Sequence, residues 1–173
     1  RAVKSTGVFY NNKLRSVSVE QSVPSFVSFV NKKGGPVLVP VTMEIGKIAP
    51  AEAFEVIFNM TEKLLNENPK YRIAILSKFR ETTRKLHEFF VKKWNSGDFP
   101  VNLKIETVDR VQGTTEDFCF FLIPNASFQY SVERPLFNVA TSRARYNTFI
   151  VIDEALLRMN MPKEVKDYFF SIE

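Results

Sequence analysis

Arg72-Ile73-Ala74-Ile75-Leu76-Ser77 is a short apolar run that predicts a buried β-strand, and a helical pattern begins directly after it. Residues 79–95 carry apolar side chains at the 3.6-residue spacing of an amphipathic helix. The side chains expected to face inward are Leu86, Phe89, Phe90 and Trp94. A further strand is expected over residues 102–108. Strand, helix and strand in this order predict a crossover unit whose two strands run parallel.

The segments on both sides repeat this alternation. Further strands are predicted at Pro36–Val41, 118–123 and 148–152, and further helices at 50–66, 135–145 and 164–170. Pro40 cannot donate a ladder hydrogen bond, which favours a sheet edge or a strand end. The chain is therefore predicted to be an α/β protein whose mainly parallel sheet is covered by helices on both faces.

Residues 1–35 differ from the rest of the chain. The first 20 residues show no clear period, and Pro24 is expected to begin a short helix that buries Phe26 on its apolar face. We therefore divide the chain into an irregular basic N-terminal segment with a short helix, residues 1–35, and the main domain, residues 36–173.

The composition suits one packed domain. The chain has 173 residues, of which 45% are hydrophobic and 17 are phenylalanine. Cys119 is the single cysteine and lies in an apolar run, so it predicts a buried side chain in a reducing compartment. One histidine and one cysteine exclude a classical zinc site. Without an apolar span or a leader at its start, the chain is expected to be soluble and cytoplasmic, and a first residue other than Met suggests a fragment.

The positive charge is concentrated in two places. Residues 1–35 hold six Lys or Arg against Glu20 alone, which accounts for the whole net charge of +5. Residues 78–93 hold six cations against two glutamates. Such clusters can bind nucleic-acid phosphates, although a solvated charged surface has the same composition.

Two polar segments next to predicted strands carry the chemistry. The first is Thr107-Val108-Asp109-Arg110-Val111-Gln112-Gly113-Thr114-Thr115-Glu116-Asp117-Phe118, which leads from one strand through a turn into the next. The second is Arg134-Pro135-Leu136-Phe137-Asn138-Val139-Ala140-Thr141-Ser142-Arg143-Ala144-Arg145, a predicted helix before the last strand. Open parallel sheets bind ligands at the carboxyl ends of their strands, where function is expected here too.

Together these segments resemble motifs V and VI of superfamily 1 helicases, and residues 72–80 are similar to motif IV at the expected distance upstream. The resemblance covers about residues 36–153. It implies a RecA-like three-layer fold and identifies the main domain as a C-terminal motor domain. The implied cofactor is ATP with Mg²⁺, held mainly by a first RecA-like domain. The other implied partner is single-stranded DNA or RNA, along which such motors move.

The resemblance also assigns residues. Arg143 would be the arginine finger, because a permanently charged, forked guanidinium stabilises charge on the transferred phosphoryl group. On a helix Arg145 would point about 200° away from Arg143 and is left for nucleic-acid or domain contacts. Nucleotide contacts are implied for Gln112, Gly113, Thr115, Glu116 and Arg80. Nucleic-acid contacts are implied for Ser77, Lys78, Thr107, Asp109, Arg110 and Arg145, and the motif does not choose a phosphate ligand among Lys78, Arg80 and Arg84.

The sequence departs from the family pattern in two places. The ribose-binding glutamate of relatives falls at Thr115, with Glu116 next, and their nucleotide-binding Tyr-Arg pair is absent near Gln21. Asp153-Glu154 imitates the end of a magnesium-binding strand, but we interpret it as an exposed strand end. No Gly-x-x-x-x-Gly-Lys-Ser/Thr loop occurs in the 173 residues, so the chain alone is expected to be inactive. A non-catalytic nucleic-acid-binding or scaffolding module derived from a helicase domain remains the alternative.

Overall fold

The computed structural model describes residues 22–95, 98–110, 115–125, 140, 142–158 and 163–172. The strands are β1 (Gly35–Val41), β2 (Ile73–Ser77), β3 (Leu103–Thr107), β4 (Glu116–Ile123) and β5 (Ala144–Asp153). The α-helices are α1 (Ala51–Glu67), α2 (Arg80–Trp94) and α3 (Lys163–Phe170), and 3₁₀ turns cover Val108–Arg110 and Glu154–Arg158. None of the described helices is both long enough and apolar enough to cross a membrane.

The five described strands form one parallel sheet in the order β1-β5-β4-β2-β3. The predicted α/β class and parallel sheet are confirmed. Strand β1 lies at an edge, where the missing N–H of Pro40 is tolerated. Strands β4 and β5 begin earlier than their apolar runs, because Glu116 pairs with Ala144 in the ladder. Hydrogen bonding between neighbours, which an apolar pattern does not reveal, sets these two strand ends.

The core lies on both faces of the sheet, as strand β4 illustrates. Phe118, Phe120 and Leu122 belong to the cluster that also contains the buried side chains of α1 and α2. The alternate residues of β4 belong to the opposite cluster, which also contains Phe169 of α3. Successive side chains of a strand point to opposite faces, so a continuous apolar run is required where both faces are covered.

Helices α1 and α2 form where the spacing predicts them. Helix α1 starts after Pro50 and ends at Glu67, and the N–H of the next residue, Asn68, donates to the carbonyl of Leu64 at 3.0 Å. In α2 the predicted inward residues Leu86 and Phe90 are fully buried. Helices α1 and α2 pack on the same face of the sheet.

The prediction of a short helix that begins at Pro24 is wrong. The described residues 22–34 contain bends and turns but no helix, and Phe26 is 85% exposed. The N–H of Val23 donates to the carbonyl of Lys32 at 2.9 Å. A helix between these residues would hold them about 13 Å apart at 1.5 Å per residue. The segment folds back on itself instead and packs the ring of Phe29 against Phe149 at 5.4 Å.

Candidate nucleotide and nucleic-acid surfaces

The predicted site residues lie at two opposite edges of the sheet. Ser77 and Thr107 end β2 and β3 at what we call the carboxyl edge. Glu116 begins β4 and Arg143 directly precedes β5 at the amino edge, so the expectation that the functional residues follow the carboxyl ends of strands is wrong for these two residues. Ser77 pairs with Leu122, which lies near the far end of β4 from Glu116. At 3.3 Å per residue the two edges are about 20 Å apart along the strands.

A cleft of about 730 Å³ opens at the carboxyl edge, between α2 and the end of β3. It brings together five of the predicted contact residues, namely Lys78, Arg80, Thr107, Asp109 and Arg110. They converge because β2 and β3 are paired neighbours whose last residues are in register. We call this surface the carboxyl-edge cleft.

The structure distinguishes the three candidate phosphate ligands of this cleft. Arg84 donates hydrogen bonds to two glutamates of α2, at 2.8 and 3.1 Å. The Nζ of Lys78 lies 4.0 Å from the Oδ2 of Asp109, a long ion pair. Arg80 is exposed and forms no ion pair with any residue that the structure describes. The guanidinium of Arg80 is therefore the most available of the three for a phosphate.

Ser77 does not belong to this surface, although it was predicted to contact nucleic acid. Its side chain is fully buried, and its hydroxyl donates to the carbonyl of Leu122 at 2.8 Å. The bond joins β2 to β4 inside the sheet. The sequence correctly predicts that Ser77 lies at the carboxyl edge. The direction of its hydroxyl depends on the neighbouring strand β4, which the sequence does not identify.

At the amino edge Glu116 is a buried, doubly paired carboxylate. It is 1% exposed, and Lys104 donates to its Oε1 at 3.3 Å. The Nε of Arg72 lies 3.4 Å from its Oε2, close enough for an ion pair but without the alignment of a hydrogen bond. The neighbouring Thr115 is exposed. Glu116 is thus engaged within the domain and lies away from Arg80, with which it was grouped as a nucleotide contact.

Arg143 lies beside Glu116 but is not helical. The helix predicted over residues 135–145 was expected to include Arg143 and Arg145. The prediction is wrong for the last residues of this range, because residue 142 is in a turn and Arg145 is in β5. The ladder between β4 and β5 requires extended backbone here. The helical angle between the two arginines therefore does not apply. Instead Arg145 is exposed, with its guanidinium 5.2 Å from the ring centre of Tyr146.

The side chain of Arg143 has one donor that no described residue uses. Its carbonyl accepts the N–H of Glu116 at 3.1 Å, which fixes the backbone at the start of β5. The side chain is half-buried, and its Nε–H is buried without a hydrogen-bond partner among the described residues. Buried donors are normally satisfied, so an unpaired one marks a place where an acceptor fits.

The charged groups at the amino edge affect the pKa of Cys119. Burial and the carboxylate of Glu116 raise the pKa of the Cys119 thiol, whereas Arg143 lowers it. Both charged groups therefore act on the early part of β4. The thiol is fully buried and stays protonated at neutral pH, so Cys119 has the packing role that the sequence predicted.

Other predicted residues lie elsewhere or outside the description. Gln112 and Gly113 fall outside the described residues, as does Gln21. Asp153 is buried rather than exposed, and it accepts hydrogen bonds from the side chain of Asn125 at 3.0 Å and from a backbone N–H at 3.1 Å. Within the described ranges no group of three or more His, Cys, Asp or Glu could hold a metal ion.

Sequence reasoning missed Lys104 and Arg72, the two cations paired with Glu116. Neither belongs to the segments that carried the prediction for Glu116, and they come from β3 and from the residue before β2. The available signal was indirect. A glutamate at the start of a buried parallel strand needs a cation from a neighbouring strand, since an unpaired buried carboxylate is costly.

Comparison with known families agrees with this architecture. Residues 5–155 match the family described as AAA domain, and the chain belongs to this family. This match agrees with the resemblance to the second RecA-like domain of superfamily 1 helicases, and the parallel sheet has the RecA-like fold that the resemblance implied.

Among solved structures, the chain is similar to the C-terminal domain of a possible DNA helicase from Lactobacillus plantarum WCFS1. The two share 14% identity with a TM-score of 0.50, over 73% of this chain and 80% of that chain. At this identity the likeness establishes the fold. No curated protein matches the chain.

Proposed function

We propose that this domain is the C-terminal motor domain of an ATP-dependent helicase. In this proposal Arg143 is the arginine finger and the carboxyl-edge cleft is part of the single-strand track. The observation that carries it is the buried Nε–H of Arg143, which has no hydrogen-bond partner among the described residues and lies next to the paired Glu116. The remaining nucleotide contacts, including the Mg²⁺ ligands, would come from a first RecA-like domain.

The residues of the amino edge fit a triphosphate. ATP would supply the γ-phosphoryl group that is transferred to water. Arg143 would neutralise the negative charge that spreads over the phosphate oxygens during transfer. Because its Nε–H has no competing partner among the described residues, a phosphate oxygen could accept that bond without displacing another group. Glu116 holds Lys104 and Arg72 and so keeps these cations in place.

The carboxyl-edge cleft fits the backbone of a single strand. Arg80 and Arg110 are exposed there and form no ion pair within the described part of the chain. Thr107 adds a half-buried hydroxyl at the end of β3. Contacts to phosphate are independent of base sequence, which is what a motor that moves along a strand requires.

We expect the double variant Arg80→Gln/Arg110→Gln of the full-length protein to bind single-stranded oligonucleotides more weakly at low salt. Each phosphate contact to a single strand contributes about 0.7 to the slope of log K against log salt, so the slope should fall by about 1.4. Fluorescence anisotropy over a range of salt concentrations measures both quantities.

Two single variants serve as controls for this experiment. Arg84→Gln should change binding less, because its guanidinium is already held by two glutamates. Ser77→Ala should lower the free energy of unfolding by about 1 kcal/mol and leave binding unchanged, because its hydroxyl bonds inside the sheet. An unchanged salt slope in the double variant would exclude the cleft as the phosphate-binding surface.

The burial of Glu116 favours one alternative, a nucleic-acid-binding module without a motor. A carboxylate that is 1% exposed and paired with two cations is poorly placed to bind a ribose. The two proposals differ in the full-length protein. The motor should hydrolyse ATP faster when single strands are added. Salt-sensitive binding that ATP does not alter, with no stimulated hydrolysis, would support the alternative.

A further inference from the structure

A second cleft, of about 570 Å³, lies between the segment Gly46–Ala49 and the outer face of α2. Three lysines line it, Lys47, Lys85 and Lys92, against the single carboxylate of Glu88. Lys85 and Lys92 are exposed and have no ion-pair partner among the residues described. We call this surface the α2 cleft. Its cationic lining favours a polyanion.

The α2 cleft also contains an anchored aromatic ring. Phe89 is half-buried and lines the cleft. Its ring meets Phe54 edge-on at 5.7 Å and Phe58 edge-on at 6.2 Å, so its orientation is fixed from below. Lys93 lies 5.5 Å from the ring centre and is itself paired with Glu55 at 3.1 Å. A fixed, partly exposed ring among lysines is a surface on which a base can stack.

The α2 cleft adjoins the carboxyl-edge cleft across α2. Glu88 lines both, and the residues that face each cleft alternate along the same helix, with Arg84 on one side and Lys85 on the other. A helix with its side chains is about 10–12 Å across. A polymer that leaves the carboxyl-edge cleft over α2 therefore reaches the lysines of the α2 cleft within a few nucleotides.

We propose that the α2 cleft is a second single-strand site, in which Lys85 and Lys92 bind phosphates and Phe89 stacks on a base. An acidic protein segment would satisfy the lysines but would make no use of the exposed ring, whereas a single strand uses both. The inference rests on the proposed function, because the same strand must first occupy the carboxyl-edge cleft. It predicts that binding depends on strand length.

The test compares oligothymidylates of about 4 to about 16 nucleotides, the range that single modules occupy, on the full-length protein. The double variant Lys85→Gln/Lys92→Gln should bind the longest strand about tenfold more weakly at low salt, with a slope smaller by about 1.4, and the shortest strand normally. Phe89→Leu keeps the side chain apolar but removes the ring. It should weaken long-strand binding about tenfold without changing the slope, because stacking releases no counterions.

The matched control is Lys63→Gln/Lys70→Gln, which removes the same charge from exposed lysines outside both clefts. It should leave the length dependence intact. If Lys85→Gln/Lys92→Gln binds every length normally while Arg80→Gln/Arg110→Gln does not, the inference is wrong and the proposed function stands. If neither pair alters binding, both fail. Binding of polyglutamate that needs the lysines but not Phe89 would assign the α2 cleft to acidic protein and overturn the inference.

Discussion

Replacing Arg143 with alanine in the full-length protein is expected to lower nucleic-acid-stimulated ATP hydrolysis by about 10³- to 10⁵-fold. The half-buried guanidinium has an Nε–H at the amino edge that is accepted by no described residue, so the loss of the side chain removes a charge and a donor from the transition state. The affinity for single strands should be unchanged, because Arg143 lies at the opposite edge from the carboxyl-edge cleft. Single-turnover hydrolysis and anisotropy separate these two quantities.

Two further variants show whether the forked guanidinium itself is needed. Arg143→Lys keeps the charge but loses the fork, so we expect only partial recovery of the rate. Arg145→Ala removes an exposed arginine two residues after Arg143. It should affect at most the affinity for nucleic acid, and the rate of ATP hydrolysis at a saturating concentration of single strand should be normal. A normal hydrolysis rate from Arg143→Ala would refute the finger assignment.

Apolar periodicity was sufficient to predict most of the elements. The runs at 73–77 and 118–123 are strands that are buried on both faces of the sheet, and that burial requires a continuous apolar run. The residues around Phe26 contain a similar number of apolar side chains, but contacts with Lys32 and with Glu67 of α1 fold them into turns. Such contacts between distant residues leave no trace in a local pattern.

The positions of site residues could be predicted only where they follow from the ends of neighbouring strands. Lys78, Arg80 and Thr107 share a cleft because they follow or end paired strands. The helical assignment of Arg143 failed because the pairing of β5 with β4 begins at residue 144. Glu116 was predicted to contact a ligand because the two cations paired with it, in β3 and at the residue before β2, cannot be identified from the sequence around Glu116.

The ion pairs of Glu116 with Arg72 and Lys104 are expected to make a large contribution to stability. The double variant Arg72→Met/Lys104→Met should lower the free energy of unfolding at neutral pH by about 3 kcal/mol, because it leaves a buried carboxylate without a cation. The two cations are 55% and 37% exposed, whereas Glu116 is 1% exposed, so nearly all of the desolvation falls on the carboxylate. Urea unfolding of the double variant and the parent measures the difference.

Adding Glu116→Gln to this double variant separates charge from packing. The neutral amide has nearly the same shape and needs no cation, so Glu116→Gln should be stabilising in the double variant and should recover most of the lost free energy. Glu116→Gln alone should cost about 1 kcal/mol, because the half-exposed Lys104 and Arg72 remain solvated. If the triple variant is no more stable than the double variant, the loss comes from the aliphatic contacts of the two long side chains, and Glu116 is not the group that they stabilise.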